Sequence, residues 1–453
     1  MANKKIFKSY DVRGVYPIEV NEETARGLGA ALVEFLKVKK LFKSHRVLVG
    51  RDARLSSDSL KQALVSGLVG QGADVVDLGR VSTPLFYWAL TQKEADGGIM
   101  ITASHNPALD NGFKVCLAKG EPLGSENGLF ALRDLAEAGK PEEIVWPNGV
   151  VFEENLFDDY LDFIKRQADL KSLKPLKGII DCGNGMSGPE IISLAGFLPG
   201  RCEVIFAEPD GNFPNHEANP LKEENLRDLK NKILESQADW GAAFDGDGDR
   251  VVFLDEKGEA VRGDFVTALI AQNLLQENVG DKILYEVRSS WVVPEAVTAA
   301  GGQPVLGRAG HSLMKAQMRR ENILFGGELS GHYFFRSLGF LDNALVAMLE
   351  VLKIISRENK LLSEIIRPFK KYFNSGEINF SVSDAAESLV AVEKKFTGGQ
   401  VKKIDGLTVE YPDWWFNLRL SNTEPLVRLN IEAKSGKLLE EKREELENAI
   451  VGK

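Results

Sequence analysis

The strongest constraint on the fold is a pattern that the chain repeats three times. In each repeat an apolar segment ends in a polar or glycine-rich turn, a helical segment follows, and a second apolar segment closes the unit. Such a unit has the composition of a strand–helix–strand crossover. The sequence therefore predicts three α/β domains of similar plan. The paired segments start 22 to 28 residues apart, at Val47 and Val75, Ile179 and Val204, and Ile283 and Val305.

The last part of the chain has a different order. After a predicted helix, DNALVAMLEVLKIISRE, the segments GEINFSVS and GLTVEYPDWWFNLRLSNTEPLVRLNIEA predict strands, with a helix at LVAVEKKF between them. This order is typical of a smaller α+β domain. The chain has 453 residues, and one domain usually takes roughly 100–200. We therefore predict four domains, at residues 1–150, 151–255, 256–368 and 369–453.

Composition excludes several classes of protein. The formal net charge of −10 argues against nucleic-acid binding, which needs a basic face. The three cysteines favour a reducing compartment, and none forms the C-x-x-C pair of a thiolate zinc site. The segment MANKKIFKSYDVRG lacks the apolar centre of a signal peptide, and no apolar run reaches the ~18 residues of a transmembrane helix. We expect a cytoplasmic protein that binds neither nucleic acid nor membrane.

The densest chemical signal is AAFDGDGDRVVFLDEKG. It places Asp245, Asp247 and Asp249 at alternate positions between two apolar strands, with glycines that let the backbone turn and the carboxylates converge. Three carboxylates this close raise one another's pKa unless a cation neutralises them, and oxygen clusters favour hard divalent ions, chiefly Mg²⁺. An acidic hairpin turn is the alternative. A calcium loop fits less well, because strands replace its flanking helices and the later Glu is missing.

A second loop, TASHNP, follows the apolar segment GGIMIT. It delivers Ser104 to a sheet edge, where α/β proteins place their chemistry. No G-x-S-x-G motif surrounds the serine, so a hydrolase elbow is not indicated. Because consecutive side chains usually point apart, we do not expect Ser104 and His105 to form a nucleophile–base pair. The alternative to a chemical role is a turn or cap residue, with Pro107 closing the loop.

A third loop, LFGGELSGHYFF, alternates Glu328, Ser330 and His332 between apolar segments. A strand-like backbone would put all three side chains on one face. A carboxylate, a hydroxyl and an imidazole grouped in this way suit sugar hydroxyls. The polar face of an exposed strand explains the same pattern equally well.

A fourth loop, NLRLSNTEPLVRL, is rich in hydrogen-bond donors. Guanidinium, hydroxyl, amide and backbone donors make a good phosphate cradle, and a plain hairpin is the alternative. Three further residues need no functional role when each is considered alone. Arg13 and Lys114 could be surface charges, and His311 could be a structural histidine at a predicted helix start. The donors of the fourth loop are Arg419, Ser421, Asn422, Thr423 and, on the next strand, Arg428.

Six short motifs together resemble the α-D-phosphohexomutase superfamily. They are YDVRG, TASHNP, NGFK, DGDGDR, GELSGH and RLSNTEP, in the family's order, from Tyr10 to Arg428. A match to one such motif would be weak evidence, but six matches in the family's order are highly specific. The resemblance implies three related α/β domains and a smaller C-terminal domain around a central active-site cleft, which agrees with the domain count above.

The resemblance also implies a mechanism. In the family the serine at the position of Ser104 is phosphorylated and gives its phosphoryl group to a hexose phosphate. The resulting hexose 1,6-bisphosphate, which also acts as an activator, reorients and returns its other phosphate to the serine. By this analogy Ser104, Asp245, Asp247 and Asp249 hold Mg²⁺. Phosphoryl transfer depends on charge neutralisation and in-line positioning more than on a strong nucleophile, which agrees with these residues.

The other residues acquire roles from the same resemblance. Arg13, Lys114 and Arg250 would stabilise the transferring charge, and His105 would support the phosphoserine. His332 would exchange a proton, with a suitable intrinsic pKa. A larger group of residues would bind the substrate. Its members are Tyr10, Arg288, His311, Glu328, Ser330, Arg419, Ser421, Asn422, Thr423 and Arg428.

The motifs are similar to those of the phosphomannomutase/phosphoglucomutase branch. Leu329 and Gly248 stand where the phosphoglucosamine branch more often has Gln and Ala. We therefore expect mannose phosphates, glucose phosphates or both as substrates, with phosphoglucosamine mutase as the alternative. Arg288 stands where relatives that accept both sugars often have Lys, and the two differ in contact geometry.

Two further expectations concern function and assembly. A Mg²⁺-dependent sugar-phosphate phosphatase is the non-mutase alternative, although it would not need a second phosphate cradle. A sugar-phosphate-binding protein without transfer would not need the serine and the aspartates. We expect a monomer or homodimer whose C-terminal domain moves as a rigid body about a hinge near Pro368.

Overall fold

Four β-sheets follow one another along the chain, each covered by its own helices. The computed structural model describes residues 4–139, 149–168, 173–382, 384–420 and 426–451. The first three sheets mix parallel and antiparallel strands, and the fourth is antiparallel throughout. This confirms the predicted fold class, three mixed α/β units followed by a smaller α+β unit.

The first sheet brings the loop of Ser104 to one edge. Strand β4 is buried at every residue, as expected of a strand covered on both faces. The sheet order is β1-β5-β4-β2-β3-β7, with β6 on β5, and β4, β2, β3 and β7 run parallel. The elements are β1 (Val12–Val15), α1 (Glu22–Val38), β2 (Arg46–Arg51), α2 (Ser57–Val69), β3 (Asp74–Arg80), α3 (Thr83–Gln92), β4 (Gly97–Ile101), β5 (Asp110–Leu117), β6 (Glu121–Pro122), α4 (Leu129–Ala138) and β7 (Val151–Glu153).

The second sheet carries the aspartate loop between β10 and β11. Its order is β12-β11-β10-β8-β9, with β8, β9 and β10 parallel and β11 antiparallel to β10. Strand β10 is buried throughout, so its carboxyl end delivers the three aspartates into the interior. The elements are α5 (Phe157–Ala168), β8 (Leu176–Asp181), α6 (Ser187–Ala195), β9 (Gly200–Ile205), α7 (Arg227–Ser236), β10 (Trp240–Phe244), β11 (Val251–Asp255) and β12 (Ala260–Val261).

The third sheet carries the loop from Glu328 to His332 between two antiparallel strands. Its order is β14-β13-β15-β16-β17, and β13 runs parallel to both β14 and β15. His311 is the first residue of a helix, as the sequence predicts. The elements are α8 (Gly263–Leu275), β13 (Lys282–Glu286), α9 (Val292–Ala299), β14 (Gln303–Gly307), α10 (His311–Glu321), β15 (Phe325–Gly327), β16 (Tyr333–Phe335), β17 (Leu341–Asp342), α11 (Ala344–Glu358) and α12 (Leu362–Ile366).

The fourth sheet has the order β18-β22-β21-β20-β19. Its register places Arg419 on β21 directly opposite Arg428 on β22. The elements are β18 (Phe373–Ser381), α13 (Ala385–Lys395), β19 (Gln400–Lys402), β20 (Leu407–Glu410), β21 (Trp414–Leu420), β22 (Leu426–Ala433) and α14 (Gly436–Ile450).

The hydrophobic cores separate the C-terminal part from the rest. One large cluster joins side chains of the first three sheets, including Phe86, Trp240 and Phe325. The fourth sheet packs on its helices in a cluster of its own, around Phe416 and Leu446. A unit with its own core is one that can move against its neighbours. Within the described residues, no helix combines the length and the apolar character needed to cross a membrane.

Two sheets extend a little past the predicted domain divisions. Val151–Glu153 adds an edge strand to the first sheet, beyond residue 150, and Ala260–Val261 adds one to the second, beyond residue 255. Strands of two or three residues are too short to show a periodicity that the sequence could reveal.

Candidate active site

Ser104 lies in a tight loop that follows β4. Its side chain is buried, and its Oγ donates a hydrogen bond of 2.8 Å to Asp245 Oδ2. The backbone has φ of +52°, in the left-handed region that non-glycine residues seldom adopt. This turn brings Oγ within 3.1 Å of His105 Nδ1, so our expectation that the two side chains point apart was wrong. Burial, followed by Arg250 and Arg13, holds the pKa of His105 well below its usual range.

Arg54, which the sequence analysis missed, organises this loop. Its guanidinium is buried and donates to four backbone carbonyl oxygens of the loop and its exit, at 2.6 to 2.8 Å. Asp52 Oδ2 accepts from its Nε at 3.1 Å. A guanidinium has five donors in a fixed fork, so it can fix several carbonyl groups at once. The sequence feature that could have indicated Arg54 is RVLVGRDAR, a predicted strand whose polar turn reaches the sheet edge at which Ser104 lies. The four oxygens belong to Ser104, Asn106, Pro107 and Asp110.

The aspartate loop forms a buried acidic cluster. Asp245, Asp247 and Asp249 are fully buried, and one oxygen of each lies within 4.8 Å of the others. Burial and the two neighbouring carboxylates raise the pKa of Asp245 well above its usual range. Asp247 Oδ1 is buried and accepts no hydrogen bond from the described residues. A buried carboxylate oxygen without a donor, beside two further carboxylates, fits a divalent cation bound through oxygen.

Lys114 and Thr83 hold the aspartate loop against the first domain. Lys114 Nζ lies 2.7 Å from Asp247 Oδ2 and also contacts Asp249. Although burial opposes it, these two carboxylates raise the pKa of Lys114, so the ammonium stays charged. Thr83, which the sequence analysis also missed, donates its hydroxyl to Asp247 Oδ2 at 2.6 Å. Arg250 approaches the same cluster, with its Nε 3.8 Å from Asp245 Oδ2.

The third loop converges on His332. Glu328 Oε2 lies 3.1 Å from His332 Nδ1, and Ser330 Oγ lies 2.9 Å from the same nitrogen. The three residues meet through a turn with φ of +86° at Gly331, and not along a strand as the alternation had suggested. His332 Nε2 lies 3.4 Å from Asp249 Oδ1. Although burial and Arg250 oppose it, Asp249 and Glu328 raise the pKa of His332 to about 9.

Tyr10 and His311 complete the wall beside this loop. Their rings meet edge to face at 5.7 Å, and the Tyr10 hydroxyl donates to Ala309 O at 3.0 Å. A Cβ at Gly310 would stand 2.4 Å from the Tyr10 ring, so only glycine allows this approach. Gly310 N also donates to Glu328 Oε1 at 2.6 Å. The first and third domains therefore meet at the predicted site.

A cavity of about 430 Å³ joins these parts. The structure thus brings together residues from three sheets that the motifs had named separately. Arg13 is held there by Asn106 Oδ1, at 2.7 Å from its Nη1. The predicted residues that line the cavity are Tyr10, Arg13, Ser104, His105, Lys114, Arg250, His311 and His332.

A second, cationic group lies at the junction of the third and fourth domains. Arg288, Arg419 and Arg428 all reach the carboxylate of Glu377. Arg288 also holds the buried Glu286, with 2.7 Å from its Nε to Oε2. The structure therefore places three of the predicted substrate-binding residues together. The three remaining predicted donors, Ser421, Asn422 and Thr423, lie outside the described residues.

Four family models match this chain in succession. They are the phosphoglucomutase/phosphomannomutase alpha/beta/alpha domain I at residues 4–140, domain II at 158–258, domain III at 262–372 and the C-terminal domain at 377–449. The chain belongs to the phosphoglucomutase/phosphomannomutase family. The four matches agree in order and class with the four sheets described above.

Relatives of known name cover nearly the whole chain. A phosphomannomutase of Escherichia coli K12 is 39% identical, with 96% of each chain covered. Phosphohexose mutases of Xanthomonas campestris are 38% identical, over 98% of this chain and 99% of theirs. A solved phosphoglucomutase/phosphomannomutase family structure from Burkholderia thailandensis is 33% identical, with a TM-score of 0.90 over 99% of this chain and 98% of that one. The chain is accordingly an enzyme of the phosphohexomutase class.

Proposed function

We propose that this phosphoglucomutase/phosphomannomutase family member moves a phosphoryl group reversibly between positions 1 and 6 of a hexose, with Ser104 as the carrier. The observation that carries the proposal is the 2.8 Å contact of Ser104 Oγ with Asp245, inside a buried carboxylate cluster. An acyl-enzyme serine needs a base held by a third group, whereas a phosphate carrier needs neutralised charge and fixed position. The buried carboxylates beside Ser104 support a site of the second kind.

The acidic cluster supports Mg²⁺ as the metal. Asp245, Asp247 and Asp249 would hold it, together with a phosphate oxygen on Ser104. The bound ion would neutralise charge on the transferring phosphoryl group. The donor set is entirely oxygen, as hard divalent ions require, and the triplet carries more negative charge than Lys114 alone offsets.

Cationic side chains of the cavity would act on the same phosphoryl group. Arg13, Lys114 and Arg250 line it with Ser104, where they would stabilise charge on the equatorial phosphate oxygens. His105 would accept a hydrogen bond beside the serine. His332 would exchange a proton with the sugar oxygen that gains or loses phosphate, since its ring faces the cavity and contacts both Asp249 and Glu328.

The substrate's other phosphate would bind at the arginines. Arg288, Arg419 and Arg428, with Ser421, Asn422 and Thr423 of the same loop, form the proposed cradle, and Glu328 and Ser330 would hold sugar hydroxyls between the two ends. Tyr10 and His311 would close the wall. Because reacting and resting phosphates occupy different sites, a hexose 1,6-bisphosphate can exchange its ends by turning over. The same compound would restore phosphate to an empty Ser104.

Mannose or glucose is the proposed sugar, on the strength of Leu329 and Gly248. Parallel rates with mannose, glucose and glucosamine 1-phosphates test this choice directly. The highest kcat/KM with glucosamine 1-phosphate would move the chain to the phosphoglucosamine branch. Three cysteines without a disulfide support a cytoplasmic location.

The decisive test supplies a hexose 1-phosphate, Mg²⁺ and a trace of hexose 1,6-bisphosphate. Formation of the 6-phosphate isomer without release of inorganic phosphate is the expected result. Release of inorganic phosphate alone would establish a phosphatase. Mass spectrometry of the protein after incubation with the bisphosphate should show one added phosphate, on the peptide that contains Ser104.

A further inference from the structure

Helix α3 begins where the first domain meets the aspartate loop of the second. Its first residue, Thr83, is fully buried, as is the preceding Ser82. Thr83 donates twice to Asp247, from Oγ1 to Oδ2 at 2.6 Å and from the backbone N–H to the backbone carbonyl oxygen at 2.9 Å. One residue of the first domain therefore holds both the side chain and the main chain of a proposed metal ligand.

The geometry of the helix start explains why Thr83 can make both contacts. The first N–H groups of a helix have no acceptor within the helix. The N–H groups of Leu85 and Phe86 are accepted by Ser82, at 3.1 Å on Oγ and at 3.0 Å on the carbonyl oxygen. The N–H group of Thr83 needs an acceptor outside the helix, and the Asp247 carbonyl oxygen provides it.

The two oxygens of the Asp247 carboxylate have different surroundings. Oδ2 accepts from Thr83 Oγ1 at 2.6 Å and from Lys114 Nζ at 2.7 Å. Oδ1 is buried and accepts no hydrogen bond from the described residues. Two donors on one oxygen restrict the rotation of the carboxylate, and they leave the other oxygen available to a divalent ion.

The two donors on Oδ2 differ in how they act on a bound cation. Lys114 is positively charged and also contacts Asp249, so it repels the ion that the carboxylates attract. The Thr83 hydroxyl is neutral, so it orients Asp247 without that repulsion. A hydrogen bond to a ligating carboxylate is typical of the residues that surround a metal centre.

The hydroxyl is kept in place by the helix that carries it. Leu85, Phe86 and Tyr87 follow Thr83 on α3 and are buried in the large cluster that joins the first three sheets. The branched Cβ of threonine further restricts its χ1 angle. A donor that its neighbours already hold in place can position its acceptor precisely enough for metal binding.

We infer that Thr83 is a positioning residue for the metal site, where it holds Asp247 so that Oδ1 stays available to the ion. The inference rests on the proposed function, in which a metal ion assists phosphoryl transfer at Ser104. Thr83 acts through Asp247 and contacts neither the ion nor the substrate. It increases the affinity for Mg²⁺ and, in this way, the activity at a given Mg²⁺ concentration.

The test compares Thr83→Val with the wild-type full-length protein. Valine has nearly the shape of threonine but cannot donate, so Asp247 Oδ2 loses one donor while the backbone contact remains. Metal-free protein is titrated with Mg²⁺ by calorimetry in the absence of substrate. Because loss of such an outer partner weakens metal binding by about 10- to 100-fold, we expect the Kd for Mg²⁺ to rise at least about tenfold.

Turnover assays should show the same loss as a change in Mg²⁺ dependence. The half-saturating Mg²⁺ concentration should rise in parallel with the Kd. Both KM for a hexose 1-phosphate and kcat, measured at saturating Mg²⁺, should stay close to their wild-type values. A contact that only joined the two domains would lower the thermal midpoint of the metal-free protein and leave the Kd for Mg²⁺ unchanged.

Two variants serve as controls. Thr83→Ser restores the hydroxyl donor and should bind Mg²⁺ within about twofold of wild type. Thr91→Val is the matched control on the same helix, because the Thr91 hydroxyl donates to Trp88 O and not to the aspartate loop. It should also leave the Kd for Mg²⁺ within about twofold of wild type.

The possible failures can be told apart. Thr83→Ala should weaken Mg²⁺ binding at least as much as Thr83→Val, and thermal midpoints show whether each variant is folded. An unchanged Kd in the folded Val or Ala variant, or a Ser variant as weak as Val, would overturn the inference and leave the metal site standing. Absence of Mg²⁺ binding by the wild type would overturn the metal site and the inference together.

Discussion

The two ends of the proposed active site are built around charged groups of opposite sign. Around Ser104, three buried carboxylates meet the ammonium of Lys114, with Arg250 3.8 Å from Asp245 and His332 3.4 Å from Asp249. At the junction of the third and fourth domains, three guanidinium groups converge on the carboxylate of Glu377. Carboxylate oxygens suit a bound cation, and guanidinium groups suit a bound anion. In the proposed function, one phosphate of the substrate would react at the first end, with a metal ion, and the other would be held at the second end.

The two ends also differ in how firmly they are built. The Ser104 end lies between domains that share one continuous hydrophobic core, and Arg54 fixes its loop through four backbone carbonyl groups. The arginine end draws two of its guanidinium groups from a domain with a separate core. The proposed reacting end therefore lies on domains with a shared core, and the proposed phosphate-binding end draws on a domain with a core of its own.

Removal of the Ser104 hydroxyl should have the largest effect, because it changes the reacting end and leaves the arginine end intact. Ser104→Ala should lower kcat by at least about a thousandfold, because it removes the hydroxyl that carries the phosphoryl group in the proposed function. Binding of a hexose phosphate, measured by calorimetry, should stay within a few-fold of wild type, since the arginine end is untouched. Full turnover by the variant with no phosphate on the protein would contradict the assignment.

Changing the acidic cluster should have the next largest effect. Asp247→Asn leaves the size of the side chain unchanged but removes a charge from the proposed metal site, so we expect kcat to fall about a hundredfold at fixed Mg²⁺. A titration of activity with Mg²⁺ should show a higher half-saturating concentration. Chelation should abolish wild-type activity and Mg²⁺ should restore it. Activity that persists in excess chelator would exclude a metal role for the cluster.

Removal of a positive charge at the arginine end should weaken substrate binding. Arg419→Gln removes one guanidinium from the cluster around Glu377 and should raise KM about thirtyfold, with a smaller change in kcat. Arg320→Gln, an exposed arginine whose described partner is Glu321, serves as the control and should leave KM unchanged. A large fall in kcat at unchanged KM would place Arg419 at the reacting phosphate instead.

Substitution of Arg54 should lower activity by a smaller factor and should also destabilise the folded protein. Arg54→Lys keeps the charge but not the fork that reaches four carbonyl groups and Asp52. Breaking such a buried network costs about 3 kcal/mol, so the midpoint of urea denaturation should fall. Turnover should drop about tenfold as the Ser104 loop loosens. Wild-type stability and turnover together would show that the loop holds its shape without this residue.

A buried carboxylate that belongs to neither charged cluster should affect chiefly stability. Glu190 is fully buried, and its described partner is the Ser82 hydroxyl, at 2.5 Å. Burial, only partly offset by Ser82, raises the pKa of Glu190 to about 8. The folded state then binds more protons than the unfolded state between roughly pH 4.5 and pH 8. The free energy of unfolding should fall as pH rises through that window, by about 1.4 kcal/mol per pH unit from this group.

Glu190→Gln isolates that contribution. The variant should be more stable than wild type near pH 8, and its stability should depend less on pH, as measured by urea denaturation from pH 5 to pH 8. Its kcat should match that of wild type. An equal pH dependence in both proteins would show that Glu190 ionises in the folded state.

Local sequence determined much of this protein. Repeated strand–turn–helix segments specified three α/β units, because hydrophobic periodicity and turn residues act over a few positions. The aspartates of DGDGDR could be recognised for the same reason, since glycines and carboxylates in one short loop need no distant partner. The six motifs in order indicated the family before any contact was visible.

Tertiary structure decided how these parts act on one another. The left-handed backbone at Ser104 brings its side chain against His105. The turn at Gly331 gathers Glu328, Ser330 and His332. Both features depart from the local expectation that alternate side chains share a face. Arg54 donates to carbonyl groups about 50 residues away in sequence, and Glu377 contacts arginines that are 42 to 89 residues away. Charge acts through space and not along the chain, so only the folded molecule shows which cation faces which carboxylate.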